Sequence, residues 1–141
     1  MAKLFRWLGL AIWLVVIDQG LKTFLGKNLQ LNSLGAFSFS WGANSKLVWL
    51  ILPATTLLIM WLYLIKSTQL AKTSWPAWSL IWGGGLSNWL DRVIYGGVRD
   101  IWPIYATNLK NNLADYALTF GIIWLMIDWL WKSTQKPKKF L

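Results

Sequence analysis

Nineteen consecutive residues, Leu47 to Ile65, carry no charge, and Lys46 and Lys66 frame them. As a helix such a run reaches ~28 Å at ~1.5 Å per residue, enough to span a bilayer's hydrocarbon core. In lipid a backbone must satisfy its own hydrogen bonds, which confines the run to helix. Three more apolar runs follow the same logic. Leu4 to Leu25 carries Arg6 near its start and Asp18 in its later half. Trp75 to Ile94 is broken by Gly83, Gly84 and Gly85, and Leu113 to Trp131 is again 19 residues long. With 56% hydrophobic residues and a mean hydropathy of +0.44, the chain reads as an integral membrane protein. The expected fold is an all-α membrane protein of four transmembrane helices in a single domain, 1–141. Its spans are 4–25, 47–65, 75–94 and 113–131, and its outer loops are 26–46 and 95–112. The first run is too long for a cleaved leader and lacks a small-x-small cleavage site before the next polar stretch, so it reads as a retained helix.

The basic residues orient these spans. Lys3, Arg6, Lys66, Lys72, Lys132, Lys136, Lys138 and Lys139 fall on one side. Lys22, Lys27, Lys46, Arg92, Arg99 and Lys110 fall on the other. The excess on the first side places both termini in the cytoplasm. Asp18, Asp91, Asp100 and Asp115 then gather at the outer face. Asp128 is left near the inner face, one turn from Lys132, as a surface pair. The thirteen Trp read as an interfacial aromatic belt, and the net charge of +9 as attraction to anionic lipid headgroups. No basic stripe lies on a soluble module, so no nucleic acid is expected.

Composition removes much chemistry. The chain has no Cys, no His and no Glu. Thiol nucleophiles, the Ser-His-Asp triad, HExxH zinc sites and imidazole bases are excluded. Acid–base work falls to Asp, Lys, Tyr or water. Three of the five acids, Asp91, Asp100 and Asp115, lie between Gly83 and Gly121. A carboxylate at a membrane boundary is costly and needs a reason.

Asp100 and Asp115 are separated by a segment with Pro103 and several Asn, able to turn back on itself. Two carboxylates brought together share a proton, so that one serves as base toward water and the other as acid. That is aspartic-protease chemistry. Asn88, Asp91 and Arg92 share a helix face, where Arg92 offers a fork of donors partly neutralised by Asp91. Asn88 can both donate and accept. The three glycines permit close helix approach. Between the first two spans, Leu29 and Leu31, then Phe37, Phe39 and Trp41, alternate with polar residues. This predicts two short strands around a turn at Asn32 to Gly35, forming a small sheet on the outer surface. A small proton or ion carrier, a Ser-Lys peptidase built on Ser45 and Lys46, and a catalytically silent scaffold remain alternatives. A carrier needs polar groups through the membrane depth, whereas the second span offers only Thr55 and Thr56 at mid-span and the fourth only Thr119 between its two ends. Adjacent Ser45 and Lys46 point apart.

At these residues the chain resembles lipoprotein signal peptidase, also called signal peptidase II, a family of bacterial membrane aspartic proteases. Asp18-Gln19-Gly20-Leu21-Lys22 resembles the family's D-Q-x-x-K, and Asn32 followed by Ala36-Phe37 its N-x-x-x-A-F. Gly84, Asn88 and Asp91-Arg92 resemble G-G-x-x-G-N-x-x-D-R. Gly97-Val98-Arg99-Asp100 resembles G-x-V-x-D, and Asn112-Leu113-Ala114-Asp115 resembles N-x-A-D. The resemblance implies Asp100 and Asp115 as the catalytic dyad. Asn32, Asn88, Arg92 and Asn112 would line the site, with Asp18, Lys22, Gly84 and Asp91 as supporting positions. It also implies prolipoprotein substrates with a diacylglyceryl-modified lipobox Cys, cleavage just before that Cys, and a β-cradle at 26–46. No metal or organic cofactor is implied. The setting would be the bacterial inner membrane, among its lipids, with the site at the outer, periplasmic face of a monomer. Four positions depart from the family pattern: Leu34, Ser87, Asn111 and Arg99. The last would set a cation beside Asp100 if it pointed inward.

Overall fold

A computed structural model describes residues 2–26, 29–32, 45–66, 74–105, 107 and 109–135. Four long helices dominate: α1 (Ala2–Phe24), α2 (Ser45–Lys66), α3 (Trp75–Tyr95) and α4 (Leu113–Thr134). Each covers a run expected from the sequence. By length and composition, α1 from Arg6 to Phe24 and α4 are apolar enough to cross a membrane, while the apolar stretch of α2 is the shorter Leu50–Leu62. Trp13 and Val16 on α1, Ile59 on α2 and Trp129 on α4 are exposed.

The glycines do not break α3. It runs continuously from Trp75 to Tyr95 and ends at Gly96, whose φ of 74° is the left-handed conformation that lets its N–H reach back to Arg92 O at 3.1 Å. The glycines act through proximity instead. A Cβ on Gly83 would lie 2.8 Å from Ala11 O, and one on Gly84 2.5 Å from Ala114 O. So α3 is the central helix, with α1 and α4 seated against its small residues.

Contacts along the helices give their directions. Trp7 meets Trp82, and Asp18 meets Ser87, so α1 and α3 run parallel. Leu50 O accepts from Trp89 Nε1 while Trp61 meets Trp82, so α2 runs against α3. Ser74 bonds Asp128 while Asn88 bonds Asp115, so α4 also runs against α3. The start of α1 and the end of α4 therefore lie at one end, and Asp18, Asp91, Asp100 and Asp115 at the other. Trp7, Trp61 and Trp82 form a cluster with centroids 5.5 to 6.3 Å apart.

Four short strands cap the carboxylate end: β1 (Gln30–Asn32), β2 (Val98–Asp100), β3 (Trp102–Pro103) and β4 (Lys110–Asn111). The extended stretch at Leu29 to Asn32 was expected, and among the described residues its partner is the distant β2. β1 pairs antiparallel with β2, Gln30 opposite Asp100 and Asn32 opposite Val98, while β3 pairs with β4. The second expected strand, Phe37 to Trp41, and the departure at Leu34 lie outside the described residues.

Candidate active site

Asp100 ends β2 and Asp115 lies in the first turn of α4. Both open on one cavity of about 610 Å³, together with Asn32, Asn88, Arg92 and Asn111. Below this polar end the cavity continues between α2, α3 and α4, past Leu52, Leu57, Met60, Ile81 and Ile122. A polar mouth over an apolar shaft suits a substrate with a polar reacting group and an apolar body.

Local sequence places both carboxylates. Asn112 caps α4: its side chain accepts from Asp115 N at 2.9 Å, and Asp115 Oδ2 accepts from Asn112 N at 3.3 Å. This reciprocal capping box fixes the Asp115 side chain at the helix mouth. The remaining Asn112 amide hydrogens donate to Asp100 Oδ1 at 2.7 Å. Asn32 Nδ2, brought in by the β1–β2 pairing, donates to Asp100 Oδ2 at 3.4 Å. Asn88 Nδ2 donates to Asp115 Oδ1 at 2.7 Å. Asn32, Asn88 and Asn112 thus all touch the carboxylate pair. Burial pushes the Asp100 carboxyl up to about 6, with the charge of Asp115 adding to the rise and the bonds from Asn112 and Asn32 opposing it.

Arg92 is also on this cavity, but Asp91 is not its partner. Successive residues of a helix do not face each other. Arg92 Nη1 donates to Asn88 O at 3.0 Å, leaving the rest of its guanidinium fork for the cavity. Asp91 turns the other way and is fully buried. It accepts from Lys22 Nζ at 2.9 Å, from Gln19 Nε2 at 2.9 Å, and from the Arg99 guanidinium and backbone N. Arg99 is therefore drawn away from Asp100. Its Nη2 bonds Asp91 at 2.9 Å and Gln19 at 2.6 Å, and its guanidinium lies 4.0 Å over the Tyr95 ring. Alternation along β2 accounts for this, since Arg99 and Asp100 point to opposite faces.

The supporting positions form one buried layer behind the pair. Asp18 and Lys22, a turn apart on α1, bond at 2.6 Å. Asp18 also accepts from Ser87 Oγ at 2.6 Å and from Ala114 N at 3.0 Å. Gly84 lets the first turn of α4 press onto α3. Gln19, Ser87 and Arg99 received no role from sequence reasoning. A helical-face argument from Asp91 back to Ser87, four residues apart, was the available signal for one of them. Asp128 pairs with Lys132, as expected, and additionally accepts from Ser74.

With this geometry in place, comparison with known proteins is direct. The model of the family described as Signal peptidase (SPase) II matches residues 10–131. The chain belongs to the signal peptidase II family. Similar proteins include the lipoprotein signal peptidase of Acinetobacter baylyi, 32% identical, with 94% of this chain and 86% of the relative covered. Another is that of Campylobacter jejuni, 28% identical, with 99% of each covered. Two solved bacterial membrane enzymes share the fold, with TM-scores of 0.80 and 0.76 at 23% and 22% identity. They cover 96% and 89% of this chain, and 94% and 92% of their own. Membership in the signal peptidase II family makes this chain a membrane-associated protease.

Proposed function

We propose that this signal peptidase II family member is an aspartic endopeptidase of the bacterial inner membrane. It cuts prolipoproteins just before a diacylglyceryl-modified lipobox Cys, with Asp100 and Asp115 as the reacting dyad. One observation carries this reading. The two carboxylates come from separate elements, open on the same cavity, and are both bonded to Asn112. One ionised carboxylate takes a proton from water, whose oxygen attacks the scissile carbonyl carbon. The protonated carboxyl gives its proton to the carbonyl oxygen. As the tetrahedral species collapses, the C–N bond breaks and the Cys nitrogen leaves with a proton from the dyad. Asn32, Asn88 and Arg92 hold substrate or dyad, and the apolar shaft takes lipid or signal-peptide side chains. The four helices span the bilayer, both termini are cytoplasmic, the dyad faces the periplasm, and one chain suffices.

A proton or ion carrier is disfavoured by the depth of the helices. Thr55, Thr56 and Thr119 all bond carbonyls of their own helices, so among the described residues of α2 and α4 these three offer no free hydroxyl for a relay toward the other end. The deciding experiment is a gel-shift cleavage assay on a diacylglyceryl-modified prolipoprotein, with wild type beside Asp100→Asn and Asp115→Asn. Cleavage by the wild type alone is expected. Full cleavage by either variant in a folded state sinks the dyad.

A further inference from the structure

Each carboxylate on the cavity directly follows a residue whose backbone N–H is gripped by a different buried carboxylate. The N–H of Arg99, just before Asp100, donates to Asp91 Oδ2 at 3.0 Å. The N–H of Ala114, just before Asp115, donates to Asp18 Oδ1 at 3.0 Å. Asp18 and Asp91 sit on different helices but share one counterion. Lys22 Nζ lies 2.6 Å from Asp18 Oδ2 and 2.9 Å from Asp91 Oδ2, and all three side chains are fully buried.

The same ammonium reaches further. It donates to Asn88 Oδ1 at 3.3 Å, and the other end of that amide donates to Asp115 Oδ1 at 2.7 Å. An ammonium has only donors, so its presence dictates which end of the Asn88 amide meets Asp115. Stability alone does not call for such a layer. Three buried charges are costly to desolvate, and apolar residues of similar volume commonly fold as well. What the charges supply is fixed geometry. Without the Lys22 cation, Asp18 has no counterion among the described residues and Asp91 keeps only Arg99. The two acids then repel one another, and each drags the backbone it holds, the start of α4 for Asp18 and the end of β2 for Asp91.

We propose that Lys22 is a positioning residue, the centre of an Asp18–Lys22–Asp91 clamp that sets the spacing of Asp100 and Asp115. The proposal rests on the reading of those two as the reacting pair. Its test is steady-state cleavage of a diacylglyceryl-modified prolipoprotein by Lys22→Met, Asp18→Asn, Asp18→Leu and Asp115→Asn, with a melting curve for each. A displacement on the order of 1 Å costs about 100-fold in rate. Folded Lys22→Met should therefore lose about 100-fold in kcat with KM changed by no more than about threefold. Asp18→Asn keeps an acceptor for the Ala114 N–H and should turn over at least about tenfold faster than Asp18→Leu. A folded Lys22→Met with wild-type kcat overturns the clamp, as do equal rates in the two Asp18 variants, which decide the matter if Lys22→Met does not fold. Inactive Asp115→Asn beside unimpaired Lys22→Met means the clamp fails and the dyad stands. Active Asp115→Asn overturns both.

Discussion

Asn112 donates its side-chain amide to Asp100 at 2.7 Å across 12 residues of sequence, while the carbonyl end of the same side chain caps the helix that carries Asp115. One side chain thus ties together the element positions of both carboxylates.

This double duty predicts a separable pair of variants. Asn112→Ala removes the cap and should cost about 1–2 kcal/mol of stability, with cleavage lost as well. Asn112→Asp retains a capping oxygen but sets a third carboxylate against Asp100. It should melt closer to the wild type at pH 4, where the new carboxyl holds a proton, than at pH 7, where it repels Asp100, while losing most of its turnover. Melting curves in detergent beside the gel-shift assay read both, and an active Asn112→Asp contradicts the assignment.

Asp100 carries a pH signature. It binds its proton more tightly in the folded chain, at about 6, than at the usual value of 3.8. The folded state is therefore favoured at low pH, and that advantage is lost as pH rises from the lower value through the higher one. At ~1.4 kcal/mol per unit the penalty at neutral pH is about 2–3 kcal/mol. Asp100→Asn should be inactive yet melt higher than the wild type at pH 7, and the gap should close toward pH 4. A gap independent of pH would mean the carboxyl is not strained by burial.

Gly84 gives a steric prediction. A methyl group there meets Ala114 O at 2.5 Å and Leu118 Cγ at 3.0 Å, so the first turn of α4 must move. Gly84→Ala should cost about 1–3 kcal/mol and slow cleavage more than tenfold, on the order expected for a displaced reacting group. Gly9→Ala, with nothing within 4 Å, is the matched control. It should be neutral, or stabilise by up to about 1 kcal/mol through helix propensity. Similar losses in both would remove the close approach as the cause.

Asp128 sits at the far end of the helices, in a half-exposed pair with Lys132 and a bond from Ser74. Asp128→Asn should change stability by no more than about 1 kcal/mol and leave turnover nearly as it was. A loss as large as that of the dyad variants would place this residue at the reaction and contradict the helix directions.

The helices were legible because apolar length is a local property. Asp115 was legible too, since Asn112 to Asp115 opens an apolar run. Pairings were harder. Asp91 and Arg92 are neighbours in sequence and suggested a pair, yet a helix turns them apart, and the partners of Asp91 come from α1 and β2. Period-two patterning found β1, but its partner strand lies 68 residues further on at Asn32–Asp100, beyond what alternation can reveal. Three residues, Val98 to Asp100, are too few for a strand pattern to stand out in sequence, so the alternation that aims Arg99 away from Asp100 emerges only in the fold. Ser87 was noted only as a departure from a glycine, and its hydroxyl bond to Asp18 appears only once α1 and α3 are side by side.

The two carboxylates are divided between β2 and the opening of α4, and Asp18, near the C-terminal end of α1, grips the turn that delivers the second one. Synthesis proceeds from the N-terminus. A growing chain therefore makes α1, α2, α3 and Asp100 before it owns Asp115. On the proposed dyad, the nascent chain stays unarmed until α4 docks, and docking and arming are the same event.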